Sequence, residues 1–168
     1  MKFFLVAQAF SRVEQESSRT VIPEILAALF LQVSAEEASF LAHFCLGELY
    51  PSYCNKNMNI AEKTAIRAVA LALSQPVAAV SEGVKKLGDI GSYVLQSCCA
   101  QDSGQFDRSV DHVKEALHAI LDASGAGSQE LKEQLLANLI NELAPLEACF
   151  VVRSVVGALR LGFSEMTM

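Results

Sequence analysis

The chain of 168 residues is 52% hydrophobic, only 7% aromatic, and carries a formal net charge of −6. Its size and apolar content suit one compact domain spanning residues 1–168, and the lack of a long polar tract excludes an extended disordered chain. The negative balance weighs against a polyanionic partner such as duplex DNA, unless basic side chains are concentrated locally, and Lys56, Lys63, Arg67, Lys85, Lys86, Lys132, Arg153 and Arg160 are available for that.

Along the chain, the apolar run from Met1 to Ala9 superficially resembles a secretory leader, but it is short and Gln8, Ser11, Arg12 and Glu14 continue it as an amphipathic pattern. It reads as the first helix. Apolar residues recur at three and four positions through 3–13, 21–33, 40–49, 60–73, 77–87, 110–121, 131–143 and 146–159, which predicts an all-α domain of eight to ten helices. Ser34 with Glu37 fits a capping box, and Pro76 and Pro145 fit first helical turns. Gly88 is placed to end one helix and Asp89 to cap the next. Residues 51–59, 101–105 and 123–128 read as connectors, none long enough to link separate domains. A break near Ser103 would divide the domain into pseudo-symmetric halves, 1–102 and 103–168. The faint echo between Asn59-Ile60-Ala61-Glu62-Lys63-Thr64 and Gly125-Ala126-Gly127-Ser128-Gln129-Glu130, each opening a helix, agrees with such a division, and coincidence explains it equally well, because helix starts look alike. No apolar run approaches the roughly 20 residues that span a bilayer.

Cys45, Cys54, Cys98, Cys99 and Cys149 lack the spacing of a disulfide framework or a Cys-x-x-Cys metal site. Reduced thiols are expected. A helical His43-x-Cys45 points its side chains apart, so no metal site is predicted.

The loop Gly125-Ala126-Gly127-Ser128-Gln129 precedes a long amphipathic run. Glycines permit a tight turn and close approach of a ligand, Ser128 is placed to cap the helix, and the helix's free N–H groups would then form an anion site. An ordinary helix start fits the same residues. Lys132 lies one turn on. Lys63 and Arg67, four apart, share a helix face that is either a phosphate-facing pair or a solvated stripe paired with Glu62. Arg153 sits among apolar residues and reads as a partner for Glu147 or the C-terminus. Arg160 and Arg19 are open between structural and ligand-binding roles.

Several ordered pieces carry a family resemblance: Phe10-Ser11-Arg12-Val13-Glu14 with Ser18-Arg19, Gly47-Glu48-Leu49-Tyr50-Pro51-Ser52-Tyr53, Ile60-Ala61-Glu62-Lys63, Leu87-Gly88-Asp89-Ile90-Gly91, Gly125 to Glu130, Ala144-Pro145-Leu146-Glu147-Ala148, Arg153, and Leu159 to Glu165. Together they resemble the N-terminal DNA-binding domain of ATP-dependent DNA ligases of the replicative and repair type, over nearly the whole chain. The resemblance implies a monomeric, intracellular, membrane-free module, cytoplasmic, nucleoid-associated or nuclear. It would grip nicked double-stranded DNA through backbone and minor-groove contacts, with a sliding clamp or repair proteins as further partners. The DNA-binding residues it implies are Asn59, Ala61, Lys63, Arg67, Gly125, Gly127, Ser128, Gln129, Lys132 and Arg160. Asn59 departs from the family's glycine, though asparagine tolerates a left-handed turn well.

Catalysis is not expected of the chain alone. These ligases attach AMP to the lysine of a Lys-x-Asp-Gly motif, whereas Lys86-Leu87-Gly88-Asp89 has those residues in the wrong order, and no phosphate-binding Gly-x-x-x-x-Gly-Lys loop occurs. No cofactor is expected here; ATP and Mg²⁺ belong to the parent enzyme. Ser164 to Met168 reads as the start of a helix leading into a nucleotidyltransferase domain. Two other readings remain open: a protein-interaction scaffold that kept the fold and lost DNA binding, as the acidity suggests, and a self-contained enzyme with an unrecognised site.

Overall fold

The computed structural model describes residues 1–18, 20–50, 60–98, 108–159 and 161. Among them are nine helices: α1 Phe3–Gln15, α2 Val21–Phe30, α3 Ala35–Cys45, α4 Glu62–Ala72, α5 Val77–Leu87, α6 Ile90–Cys98, α7 Val110–Asp122, α8 Ser128–Glu142 and α9 Pro145–Val155. The only extended pairing among the described residues is an isolated antiparallel bridge between Lys2 and Ser109. The all-α expectation holds. The Asn59 helix start, Arg19, Arg160, the 101–105 loop and the break near Ser103 lie outside the described residues.

α9 is the centre of the core. Glu147 through Val152, Ser154 and Val155 are all buried, a pattern expected of a helix enclosed on nearly every side. It packs mainly on α6, with α1 beside it. α1 contributes Phe3, Val6, Phe10 and Val13 at helical spacing. Phe10 meets the Phe150 ring edge-on at 5.5 Å between centroids, and Phe3 meets Phe44 edge-on at 5.8 Å, so aromatic contacts join α1 to both α9 and α3.

Local signals hold most helix ends where the sequence places them. Ser34 Oγ accepts from the Glu37 N–H at 3.2 Å while Glu37 Oε2 accepts from the Ser34 N–H at 3.0 Å, the reciprocal capping box. Gly88 ends α5 with φ 73°, and Asp89 Oδ2 accepts from the Ser92 N–H at 2.7 Å. Pro145 occupies the first turn of α9, while Pro76 stands one residue outside α5 as its N-cap.

Arg153 requires a correction. Among the described residues its guanidinium bonds Asp89 at 2.7 Å and Glu14 at 2.7 Å, not Glu147, and lies 5.5 Å from the Phe150 ring centroid; the chain end lies outside the described residues. One side chain, 13% exposed, thereby ties α1, α6 and α9 together. It is not available to a phosphate.

Candidate nucleic-acid interface

Among the described helices, α4 with α8 and α6 with α9 form the two most extensive pairs. The contact face of α4 is built from small residues, with Thr64, Ala65, Ala68 and Ala72 buried at three- and four-residue spacing, so the α8 backbone approaches closely. α8 answers with Leu136, Ala137 and Ile140. Two polar bridges set the register at the open end. The Thr64 hydroxyl donates to Gln129 Oε1 at 3.0 Å, and Arg67 Nη1 donates to Glu133 Oε1 at 3.2 Å. One turn forward on α4 is one turn forward on α8, so the helices run parallel and their N-termini lie side by side.

Both ends are open. Ala61 caps α4 without a side-chain hydrogen bond, and Gly127 does the same for α8. Ser128 is therefore not the cap: it is the first residue of α8, and its own N–H bonds the Gly125 carbonyl at 3.2 Å. Gly127, with φ 79°, takes the cap position because the left-handed turn there disfavours a side chain. The Leu131 N–H returns to the Gly127 carbonyl at 3.1 Å. The Gln129 and Glu130 N–H groups in α8, and those of Glu62 and Lys63 in α4, precede the first intrahelical bonds and point outward. Each such end carries roughly half a positive charge.

Of the sequence-expected residues, Ala61, Lys63, Arg67, Gly125, Gly127, Ser128, Gln129 and Lys132 belong to these two helices and their leading turns. All are exposed except Ser128 and Lys132, which are half-buried. Arg67 is tied to Glu133, not to Glu62. Lys63 and Lys132 have no carboxylate partner among the described residues. The charges alternate: Glu62, Glu130 and Glu133 stand among Lys63, Arg67 and Lys132. Asn59 and Arg160 lie outside the described residues, although Ile60 is anchored by its N–H to the Val155 carbonyl at 3.1 Å.

Sequence reasoning missed Thr64 and Glu133. Glu133 lies four residues from Gln129, hence on its face, but only the fold shows that α4 covers that face. Beside the Arg67–Glu133 pair opens a cleft of about 490 Å³, floored by Ala70, Leu71 and Val77 with Ser74 and Gln75 at its side. No group of three or more potential ligand side chains converges on a metal position among the described residues. No single helix among them is long and apolar enough to cross a membrane.

The family model described as DNA ligase N terminus matches residues 2–168. A DNA ligase of Pyrobaculum calidifontis is 33% identical over the whole chain, which covers 30% of that relative. A probable DNA ligase of Dictyoglomus turgidum is 36% identical over the whole chain, covering 28% of it, and a DNA ligase of Nitrosopumilus maritimus is 30% identical, with 29% covered. The chain thus spans about three-tenths of the length of these relatives. With a match from Lys2 to Met168 and a helical fold throughout the described residues, the chain belongs to the family of DNA ligase N-terminal domains.

Proposed function

We propose that this chain is the DNA-gripping domain of an ATP-dependent DNA ligase, holding nicked duplex while other domains of the enzyme carry out adenylation and sealing in replication and repair. The observation that carries the reading is the parallel α4–α8 pair, whose uncapped N-termini are bound side by side through Thr64 and Gln129. Axes of packed helices lie about 8–10 Å apart, the scale of a minor groove about 6 Å wide with its flanking phosphates. Two amide-lined ends can then meet two phosphate rows, with Lys63 and Lys132 adding charge. Peptide N–H groups and neutral side chains read phosphate position and groove shape, which suits an enzyme that must act on any sequence. An acidic domain can use such contacts because the donors belong to the backbone.

ATP and Mg²⁺ would serve the catalytic portion of the parent enzyme, which this chain does not supply. The domain works as a monomer inside the cell, and a sliding clamp or repair protein would be a further partner of the whole enzyme.

Titration of fluorescent nicked duplex over a salt series tests the reading. Neutralising about four phosphates gives a log–log slope near −3.6. The double variant K63Q/K132Q should lower affinity and flatten that slope. No measurable binding at low salt would leave the scaffold reading, which the alternating charges at this corner favour.

A further inference from the structure

We infer that Glu133 is a built-in brake on DNA affinity, acting through Arg67; this rests on the α4–α8 corner being the DNA-binding surface. Arg67 stands on the solvent edge of α4, one turn from Lys63, with 58% of its side chain exposed. Glu133 is rooted in the α4–α8 seam and only 17% exposed. The two meet through a single hydrogen bond of 3.2 Å, Arg67 Nη1 to Glu133 Oε1. The more buried partner is the more constrained one, so the carboxylate holds the arginine toward α8 and the mouth of the neighbouring cleft.

The pair sits one turn behind Thr64–Gln129, within about a Debye length of the open N-termini at 0.1 M salt. A phosphate arriving there meets a guanidinium whose charge is already countered. It must either share Arg67 with Glu133 or draw the arginine away, and in both cases the carboxylate opposes the approach. Arg67 has spare donors, since a guanidinium carries five N–H groups in total. What it lacks is net charge. With Glu62 and Glu130 in the first turns, Glu133 completes a balance of three cations and three carboxylates around the corner. The arrangement suits an enzyme that must release a sealed product and search for the next nick, because moderate affinity shortens residence.

A double-mutant cycle on the nicked duplex tests the inference. E133Q retains an oxygen that accepts from Arg67 but removes the charge. It should tighten binding roughly three- to tenfold at low salt and steepen the log–log salt slope by up to about 0.9, one further phosphate neutralised. R67Q should weaken binding. In the R67Q background, E133Q should have less than half its effect on log affinity. Equal gains in both backgrounds would mean that Glu133 repels DNA generally and would overturn the inference, as would weaker or unchanged binding by E133Q, which would make the carboxylate an orienting support or a bystander. Circular dichroism melts should show each variant folded at the assay temperature; an E133Q chain that is unfolded there would make Glu133 a structural residue and reject the brake. Failure of the wild-type chain to bind any duplex would instead remove the DNA-binding reading itself, a result distinct from bound DNA that is indifferent to Glu133.

Discussion

Gly91 is the floor on which Arg153 lies: a Cβ placed on Gly91 would fall 2.6 Å from both Cγ and Nε of Arg153. The absence of a side chain on α6 is what lets the arginine pass between helices to reach Asp89 and Glu14. Replacing Gly91 with Ala should force the arginine from its partners and cost about 2–3 kcal/mol, despite alanine's better helix propensity. Urea denaturation would read this as a lower midpoint with an unchanged slope. A neutral or stabilised G91A would show that Arg153 has room to move.

The same cluster sets an acid limit. Burial pushes the Asp89 carboxyl up, but hydrogen bonds from Arg153 and Ser92 outweigh it and hold the group below its usual 3.8. A carboxyl whose folded value is depressed stabilises the fold above the unfolded value and loses that contribution as pH falls through the folded one. Unfolding free energy should therefore drop as pH decreases below about 4, and D89N, less stable at neutral pH, should show a shallower drop. Melting curves at pH 7, 4 and 3 would compare the two slopes.

Ala68 is fully buried and stands one turn beyond Thr64, on the α4 face that meets α8. Ala68→Leu adds three carbons where packing leaves no space and should cost about 1–3 kcal/mol. It should also splay the two N-termini and weaken duplex binding, measured well below the melting temperature. A68L that melts early but binds DNA normally would separate the seam from the interface.

At Gly127 the constraint is conformational, not spatial, since an added Cβ meets nothing within 4 Å while φ is 79°. Gly127→Ala should cost about 1–2 kcal/mol, and Gly127→Asn, which tolerates the left-handed region, should cost less. Thermal melts of the two variants would rank them.

Burial pushes the Cys45 and Cys149 thiols up to about 12, leaving almost no thiolate at pH 8. In a chain with Cys54, Cys98 and Cys99 changed to Ser, a disulfide reagent should label neither cysteine until denaturant is added. Rapid native labelling of both would contradict their burial.

Much of this architecture was legible from residue order. Helix-period patterns and short-range caps such as Ser34–Glu37 depend on neighbours within one turn, and these held. α6 was not legible as a helix from periodicity because its apolar row is thin: Gly91, Ser92, Tyr93, Gln96 and Ser97 fill five of its nine positions, and only Ile90, Gly91 and Val94 are buried. Only its cap, Asp89, was readable. The ionic partners of Arg153 were not, since Glu14 and Asp89 lie 139 and 64 positions away and only tertiary packing selects them. The same limit applied at the interface. Each loop could be read as a helix start, but Thr64 meets Gln129 across 65 positions. The alanine row of α4 was visible in the sequence as small residues and gained meaning only with α8 laid against it.

The burial of α9 has a consequence for synthesis. Its partners α1 and α6 leave the ribosome long before Pro145 to Val155, so their apolar faces wait uncovered until α9 emerges. Nascent chains shorter than this would be sticky, chaperone-dependent and open to proteases, and protection should arise in one step once Val155 clears the exit tunnel.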